Sequence, residues 1–234
     1  MIDVGCGCGG TSIEIARIIG ETGAVLGIDV SQPMLEIARS HGASANLPQL
    51  AFSTGDASEV DLPRNTDLLY SRFGVMFFGQ PSKAFAHLRT SLRPGGRCVF
   101  VCWRLPRDNP WAMTPLSAAR AALGVTQPPA NHHAPGPFAF ADEDRVRAIL
   151  SDSGFQAVGV RRFDAQIDLG ATPRVAAENS AQIGPASRFV REMGSEQLPV
   201  IVDAIERALA AVAAPDGHVK LNGSAWIVTA TNPT

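Results

Sequence analysis

Cysteine is scarce in this chain, and its spacing excludes more than its number does. The four residues fall as Cys6-x-Cys8 and Cys98-x3-Cys102. That is neither the paired C-x-x-C or histidine spacing of a zinc site nor the spread of a disulfide framework. Reduced thiols and no metal are expected. A surplus of charge of one sign is also missing. Twenty basic side chains face 22 acidic ones, for a formal net charge of −2, so no field is present that would hold a phosphate polymer and nucleic acid is not expected as a partner. A small-molecule substrate is left open by the same balance. No apolar run approaches the roughly 18 residues of a membrane span, and no basic stretch followed by an apolar one opens the chain. A cytoplasmic protein without a membrane span is expected. No internal repeat is present.

What the sequence does have is concentrated at its start. Ile2-Asp3-Val4-Gly5-Cys6-Gly7-Cys8-Gly9-Gly10-Thr11 runs directly into an apolar-periodic segment carrying Ile13, Ile15, Ala16, Ile18 and Ile19. A short β run, a turn of small residues and an immediate helix place a glycine-lined crevice at a strand's carboxyl end, with free helix N–H groups facing it. Glycine suits that turn because it reaches φ > 0 and lets backbone approach a ligand closely. A bound anionic cofactor follows. The motif alone leaves its identity open: Gly5, Gly7 and Gly10 spell the G-x-G-x-x-G of dinucleotide binders, and Gly5, Gly7 and Gly9 the G-x-G-x-G of S-adenosylmethionine binders.

Residues 24–30 (AVLGIDV) form a nearly unbroken apolar run ending in an acid, the pattern of a buried parallel strand. Asp29 lies about 20 residues past the glycines, where a nucleotide-binding α/β unit sets an acid against ribose hydroxyls. Ser31 and Pro33 begin the next helix, whose face carries Met34, Leu35, Ile37 and Ala38. A third strand spans 49–54 and leads to Gly55-Asp56-Ala57. Asp3, Asp29 and Asp56 thereby occupy successive strand tips, although a lone tip acid such as Asp56 is also an ordinary turn residue. A fourth strand over 66–70 ends at Ser71-Arg72-Phe73-Gly74. A helix over 82–92 follows, with Arg93-Pro94-Gly95-Gly96 expected to end it in a sharp reversal. Residues 97–103 make the fifth strand.

Beyond it the pattern changes. A helix runs from Pro110 to Gly124, then a proline-rich loop with His132 and His133, a capped helix over 142–154 and a sixth strand over 156–169. Three apolar-periodic helical pieces (175–183, 186–193 and 198–212) precede a last strand over 219–229. Trp103, Trp111, Phe77, Phe78, Phe138 and Phe140 supply apolar surface for a flat or hydrophobic substrate, with ordinary core packing as the competing account. His87 reads as a helix-face or cap histidine. His132 and His133 read as solvated loop residues, and no catalytic residue is assigned.

The order of these features resembles that of class I S-adenosylmethionine-dependent methyltransferases. The features are the Asp3-x-Gly5-x-Gly7-x-Gly9 loop, Asp29 after the second strand, Gly55-Asp56-Ala57 after the third, and Leu92-Arg93-Pro94-Gly95-Gly96-Arg97 before the fifth. Ser71-Arg72-Phe73-Gly74 and the Arg-Pro-Gly-Gly turn are similar to the quinone-biosynthesis C-methyltransferases and their small-molecule relatives. The resemblance implies an α/β fold: a Rossmann-like, doubly wound, seven-stranded sheet, mostly parallel with an antiparallel last strand, plus helical cap insertions. It implies one domain over 1–234, with a cofactor-binding half at 1–104, caps at 105–141 and 172–214, and the remaining helix and strands at 142–171 and 215–234.

The implied cofactor is S-adenosylmethionine, leaving as S-adenosylhomocysteine, with no metal. Its methionine moiety is expected over Gly5, Cys6, Gly7 and Gly9, with Asp3 bracing the loop and the ligand's amino-group side. Asp29 and Val30 are expected at the ribose, Asp56 and Ala57 at the adenine edge, Met34 against the ring, and Ser71 and Arg72 near the methionine end. The implied activity moves the sulfonium methyl to a small, apolar or aromatic acceptor, in a monomer or homodimer. Two other classes share part of the pattern. A nicotinamide-dependent oxidoreductase accounts for the glycines and Asp29 but not for Asp56, and a catalytically silent version of the fold would bind or dimerise. Family members carry further residues before the glycine loop, so either a truncated start or a cover supplied by another chain or segment is expected, with weaker cofactor binding and lower stability than a version extended at its amino end.

Overall fold

The computed structural model describes residues 1–126 and 134–234. Seven strands form one sheet in the order β3-β2-β1-β4-β5-β7-β6. Among β1 (Ile2–Val4), β2 (Val25–Asp29), β3 (Leu50–Thr54), β4 (Thr66–Arg72) and β5 (Leu92–Trp103), helix α1 (Gly10–Ile19) follows β1, α2 (Gln32–Ala45) follows β2 and α3 (Pro81–Arg89) follows β4, while β3 leads to β4 without a helix. Every pairing among β1 to β5 is parallel. Strand order runs outward in both directions from β1, so a topological switch point lies between β1 and β4. Open α/β sheets place their ligand crevice at such a point, beyond the carboxyl ends of the strands.

Then come α4 (Pro110–Ala122), α5 (Glu143–Asp152), β6 (Gln156–Gly170), α6 (Pro173–Gln182), α7 (Pro185–Met193), α8 (Leu198–Ala210) and β7 (Val219–Thr231). β7 is antiparallel to β5. The N–H of Gly95 bonds to the carbonyl of Asn232 at 3.0 Å, the N–H of Asn232 to the carbonyl of Gly96 at 2.8 Å, and the N–H of Arg104 to that of Ser224 at 3.0 Å. As numbers rise along β5, those of its partner fall, which only opposed directions allow.

The chain separates into two compact units. One holds Met1–Cys102, residues 134–162 and Trp226–Thr234, and the other residues 103–126 and 163–225. In the first, the continuous apolar runs of β1 and β2 bury Ile2, Val4, Val25 and Ile28, and α1 and α2 turn Ile13, Ala16, Leu35 and Ala38 inward. An aromatic cluster fills the same unit: Phe85 lies 5.4 Å from Phe100, 6.2 Å from Phe140 and 6.4 Å from Phe155 between ring centroids. Each such side chain contributes roughly 1.5–3 kcal/mol by leaving water. In the second unit, α4, α6, α7 and α8 share a core of Leu116, Ala119, Ala176, Phe189, Ile201, Ile205 and Leu209. The helical pieces on either side of residues 142–169 thus pack on one another.

One expectation needs correction here, and one open alternative is decided. Arg93-Pro94-Gly95-Gly96 does not reverse the chain, because α3 has already ended at Arg89 and these residues lie inside β5. Thr66 pairs with Leu92 but Leu68 with Arg97, so the extra residues leave the ladder as a bulge. Gly95 takes φ +70° there. The amide of Asn232 holds the bulge by donating to the carbonyls of Leu92 (3.2 Å) and Arg93 (3.0 Å). Phe140 is only 1% exposed, and Phe78 packs edge-on against Phe85 at 6.0 Å. Phe140 therefore belongs to the core, because β5 and α3 present Phe100 and Phe85 to it, whereas Phe78 is half-buried.

Candidate functional site

Three strand tips and one helix end converge on the glycine turn. Leaving β1, the N–H groups of Gly5 and Cys6 both bond to the carbonyl of Ile28 in β2, at 2.8 and 3.1 Å. The turn then needs three left-handed residues, Gly5 at φ +71°, Gly7 at +55° and Gly9 at +79°. Only glycine takes that conformation without steric cost. α1 starts at once behind Gly9, which offers no side-chain cap. The first N–H groups of a helix have no carbonyl within it, so this end is open to a polar or anionic group.

Asp29, at the tip of β2, holds the turn from outside. One carboxylate oxygen accepts the N–H of Gly7 at 2.8 Å, and the other accepts the N–H of Ser31 at 2.8 Å. A carboxylate has about four lone-pair sites, so about two stay available. The Asp29 carbonyl takes the N–H of Gly55 at 3.0 Å, which ties the third strand tip to the second. Met34 of α2 covers the turn: a Cβ on Gly7 would come within 3.0 Å of its Cε. Val30, next along, is 70% exposed.

Asp3 lies below the turn and is 1% exposed. Its carboxylate accepts the hydroxyl of Ser12 at 2.6 Å. Burial pushes its pKa up to about 6, partly opposed by the Ser12 hydrogen bond and the Arg72 charge, while Asp29 adds to the rise. A buried acid of this kind is costly to ionise until a cation approaches. Cys6 is also buried, and burial together with the Asp3 and Asp29 charges pushes its thiol up to about 12. It therefore acts as a small apolar side chain and not as a nucleophile.

On the other side, Ser71 at the end of β4 is buried and donates to the carbonyl of Val4 at 2.7 Å while accepting the N–H of Gly74 at 3.2 Å. Arg72 reaches back to α1, its Nε donating to the Thr11 hydroxyl at 3.0 Å. Asp56 is placed differently from the other acids. It is exposed, and one oxygen takes both the N–H and the hydroxyl of Ser58, at 2.9 and 2.7 Å. Next to it, Ala57 is buried. His87 engages the carbonyl of Val60 at 2.9 Å. His132 and His133 lie outside the described residues.

Sequence reasoning quoted Thr11 and Gly74 within motifs but gave no role to them or to Ser12, yet the three join α1 and β4 to the turn. Gly74 left a signal, a glycine just after a strand end. Ser12 left none, since a serine in the first turn of a helix is commonplace. Phe73 has the left-handed φ of 64°, an outlier for a bulky residue and a sign of strain at a strand tip. Among the described residues no cluster of three or more His, Cys, Asp or Glu side chains is arranged to hold a metal ion, and no helix is long and apolar enough to cross a membrane.

Comparison with known proteins agrees with this geometry. The family model described as "Methyltransferase domain" matches residues 1–96, the stretch that holds the whole glycine turn and the tips of β1 to β4. Demethylmenaquinone methyltransferase of Oceanobacillus iheyensis is 32% identical over 101 residues, covering 43% of this chain and 42% of that protein. Nocamycin O-methyltransferase of Saccharothrix syringae is 26% identical over 162 residues, covering 68% of this chain and 54% of that protein. The chain therefore spans about half the length of such curated relatives. In fold it is similar to the YcgJ protein of Bacillus subtilis, with a TM-score of 0.64 at 16% identity over 100% of this chain and 91% of that one.

Proposed function

We propose that this chain, whose residues 1–96 match the methyltransferase family model, is a class I S-adenosylmethionine-dependent methyltransferase that binds S-adenosylmethionine on the Gly5–Gly9 turn and transfers its methyl group to a small apolar or aromatic acceptor. The observation that carries the reading is the turn's construction. Glycines with no side chain to fill the crevice sit at the switch point, before an uncapped helix, with Asp29 holding Gly7 and keeping lone pairs to spare.

The residues present suit that cofactor. It carries a carboxylate, an ammonium group, a sulfonium and a ribose diol, and the site has a matching group for each kind of charge. The open N-terminus of α1 suits an anion. The buried carboxylate of Asp3 suits a cation nearby, which would hold it ionised. Asp29, with Val30 beside it, accepts from two hydroxyls. Cys6, Gly7 and Gly9 line the floor, and Met34 supplies a soft apolar wall for a ring. Asp56 and Ala57 border the adenine side, while Ser71 and Arg72 border the methionine side.

When bound, the cofactor supplies an electrophilic methyl group for in-line displacement. The protein's part is then alignment and exclusion of water. An acceptor entering as a carbanion, phenolate or thiolate needs no base, and none is assigned.

Calorimetry of the folded chain with S-adenosylmethionine and S-adenosylhomocysteine tests the binding half. Transfer of labelled methyl to a panel of phenols, reduced quinones and thiols tests the other half. Saturable heat with both compounds and label in one class of acceptor are expected. No heat with either compound would overturn the reading.

A further inference from the structure

Phe73 stands just past the tip of β4 in a backbone conformation that its own side chain makes costly. Its φ is +64°. Among the described residues the other non-glycine residues with positive φ are Asn46, Asn65 and Ala157, and asparagine visits the left-handed region where a bulky residue is an outlier. The turn after β4 needs the conformation but not the ring. Glycine or asparagine would supply it at less cost, and a bulky residue persists there only where its surroundings enforce it.

The surroundings do. On one side of Phe73, the Nε of Arg72 donates to the Thr11 hydroxyl in the first turn of α1 at 3.0 Å. On the other, Gly74 gives its N–H to the Ser71 hydroxyl, which itself donates to the carbonyl of Val4, and lies so near the glycine turn that a Cβ on it would come within 2.9 Å of the Gly5 Cα. The N–H of Phe73 bonds to the carbonyl of Val101 in β5 at 2.9 Å. Both neighbours in sequence thus grip the turn or the helix behind it, and adjacent Cα atoms are about 3.8 Å apart. Phe73 is therefore fixed at the rim of the crevice at the switch point.

Aromatic surface collects at the same strand tip. Phe73 is half-buried, and Phe77, four residues on, keeps 56% of its surface in water. Val75 and Met76 between them are buried, and the N–H of Phe77 bonds to the carbonyl of Gly74 at 3.3 Å, so the segment carrying both rings is anchored. A ring on a backbone fixed in advance offers a flat apolar face at a low ordering cost.

We infer that Phe73 is the specificity-determining residue of the acceptor site, its ring providing the face on which a flat aromatic compound lies. The inference rests on the proposed function for what becomes of that compound, and on the geometry of the β4 tip for where it binds.

The full chain is titrated calorimetrically with 2-naphthol and with decahydro-2-naphthol, in the presence and absence of S-adenosylhomocysteine. The two probes share a hydroxyl and a carbon skeleton, and the saturated one is at least as apolar, so a preference for the naphthol reports ring-on-ring contact. The naphthol is expected to bind at least about threefold more tightly. Phe73→Asn, which suits the left-handed φ, is expected to remove the preference, to keep the affinity for S-adenosylhomocysteine within about twofold, and to leave the urea midpoint no lower. Phe73→Tyr is expected to retain the preference. No saturable naphthol binding, no preference in the unaltered chain, or a preference that survives Phe73→Asn would each overturn the inference. So would a lower midpoint or a lost affinity for S-adenosylhomocysteine in the Asn variant, either of which would make the ring a part of the fold or of the turn. Absence of heat with S-adenosylhomocysteine in the unaltered chain overturns the methyltransferase reading instead, and the naphthol series then still decides the place of Phe73.

Discussion

Gly5 and Gly74 meet backbone to backbone. A Cβ on Gly5 would lie 2.8 Å from the Cα of Gly74, and one on Gly74 would lie 2.9 Å from the Cα of Gly5 and 2.6 Å from the carbonyl oxygen of Val4. The atoms in the way are main chain, so no rotamer change relieves the clash. Gly74→Ala is expected to cost at least about 2 kcal/mol, in the range of overpacked core positions. Gly10→Ala, where nothing lies within 4 Å, is expected to be neutral or mildly stabilising in the first turn of α1. Urea midpoints of the two variants check the contrast, and a similar loss for both would contradict it.

Asp3 predicts a pH dependence with a definite sign. Its folded pKa of about 6 lies above the ordinary value of 3.8, so the folded state favours the protonated acid. Stability from this group is full below about pH 4 and is lost as pH rises through 6. The shift of about two units corresponds to at most about 3 kcal/mol. Asp3→Asn keeps an acceptor for the Ser12 hydroxyl and removes the charge. Its stability relative to the unaltered chain is expected to rise between pH 4 and 6 and to level off above. A difference independent of pH would show that Asp3 is not held neutral.

Asp29 joins two backbone N–H groups, that of Gly7 in the turn and that of Ser31 at the start of α2. Asp29→Asn has one acceptor oxygen and can satisfy only one of them. A loss of about 1–3 kcal/mol in stability is expected. The affinity for S-adenosylhomocysteine is expected to fall at least about tenfold, because the turn loosens and the diol loses its acceptor. An unchanged calorimetric affinity would remove Asp29 from the site.

Asn109 is the buried polar hub of the second unit, accepting from the Trp111 indole and the N–H of Ser224 as well as donating to three carbonyls. Asn109→Ala leaves several buried groups unpaired and is expected to cost at least about 3 kcal/mol. A change in tryptophan fluorescence should accompany it. Denaturant unfolding followed by that fluorescence measures both, and a loss under 1 kcal/mol would contradict the hub.

The strand and helix order was legible because apolar runs alternate with 3.6-period segments, and the turn was legible because its glycines are dense. What the sequence could not show depends on neighbours. Pro94, Gly95 and Gly96 suit a reversal or a bulge equally, and the choice falls to β4, which pairs with Leu92 and Arg97 on either side of them. Phe140 and Phe77 look alike as letters, but the first fills space beside Phe100 and the second is 56% exposed. Asp56 shares its strand-tip position with Asp29, but its own turn places Ser58 against it. The pairing of Gly5 with Gly74 joins residues so far apart in sequence that no local pattern announces it.

That separation bears on how the protein is made. A ribosome adding roughly 5–20 residues per second releases Gly5 several seconds before Gly74 exists, and the hydroxyl of Ser71 that will hold Val4 comes equally late. Until β4 docks, the nascent turn lacks one of its walls. Ligand affinity should therefore appear only after that docking, as one of the last properties the growing polypeptide acquires from its first hundred residues.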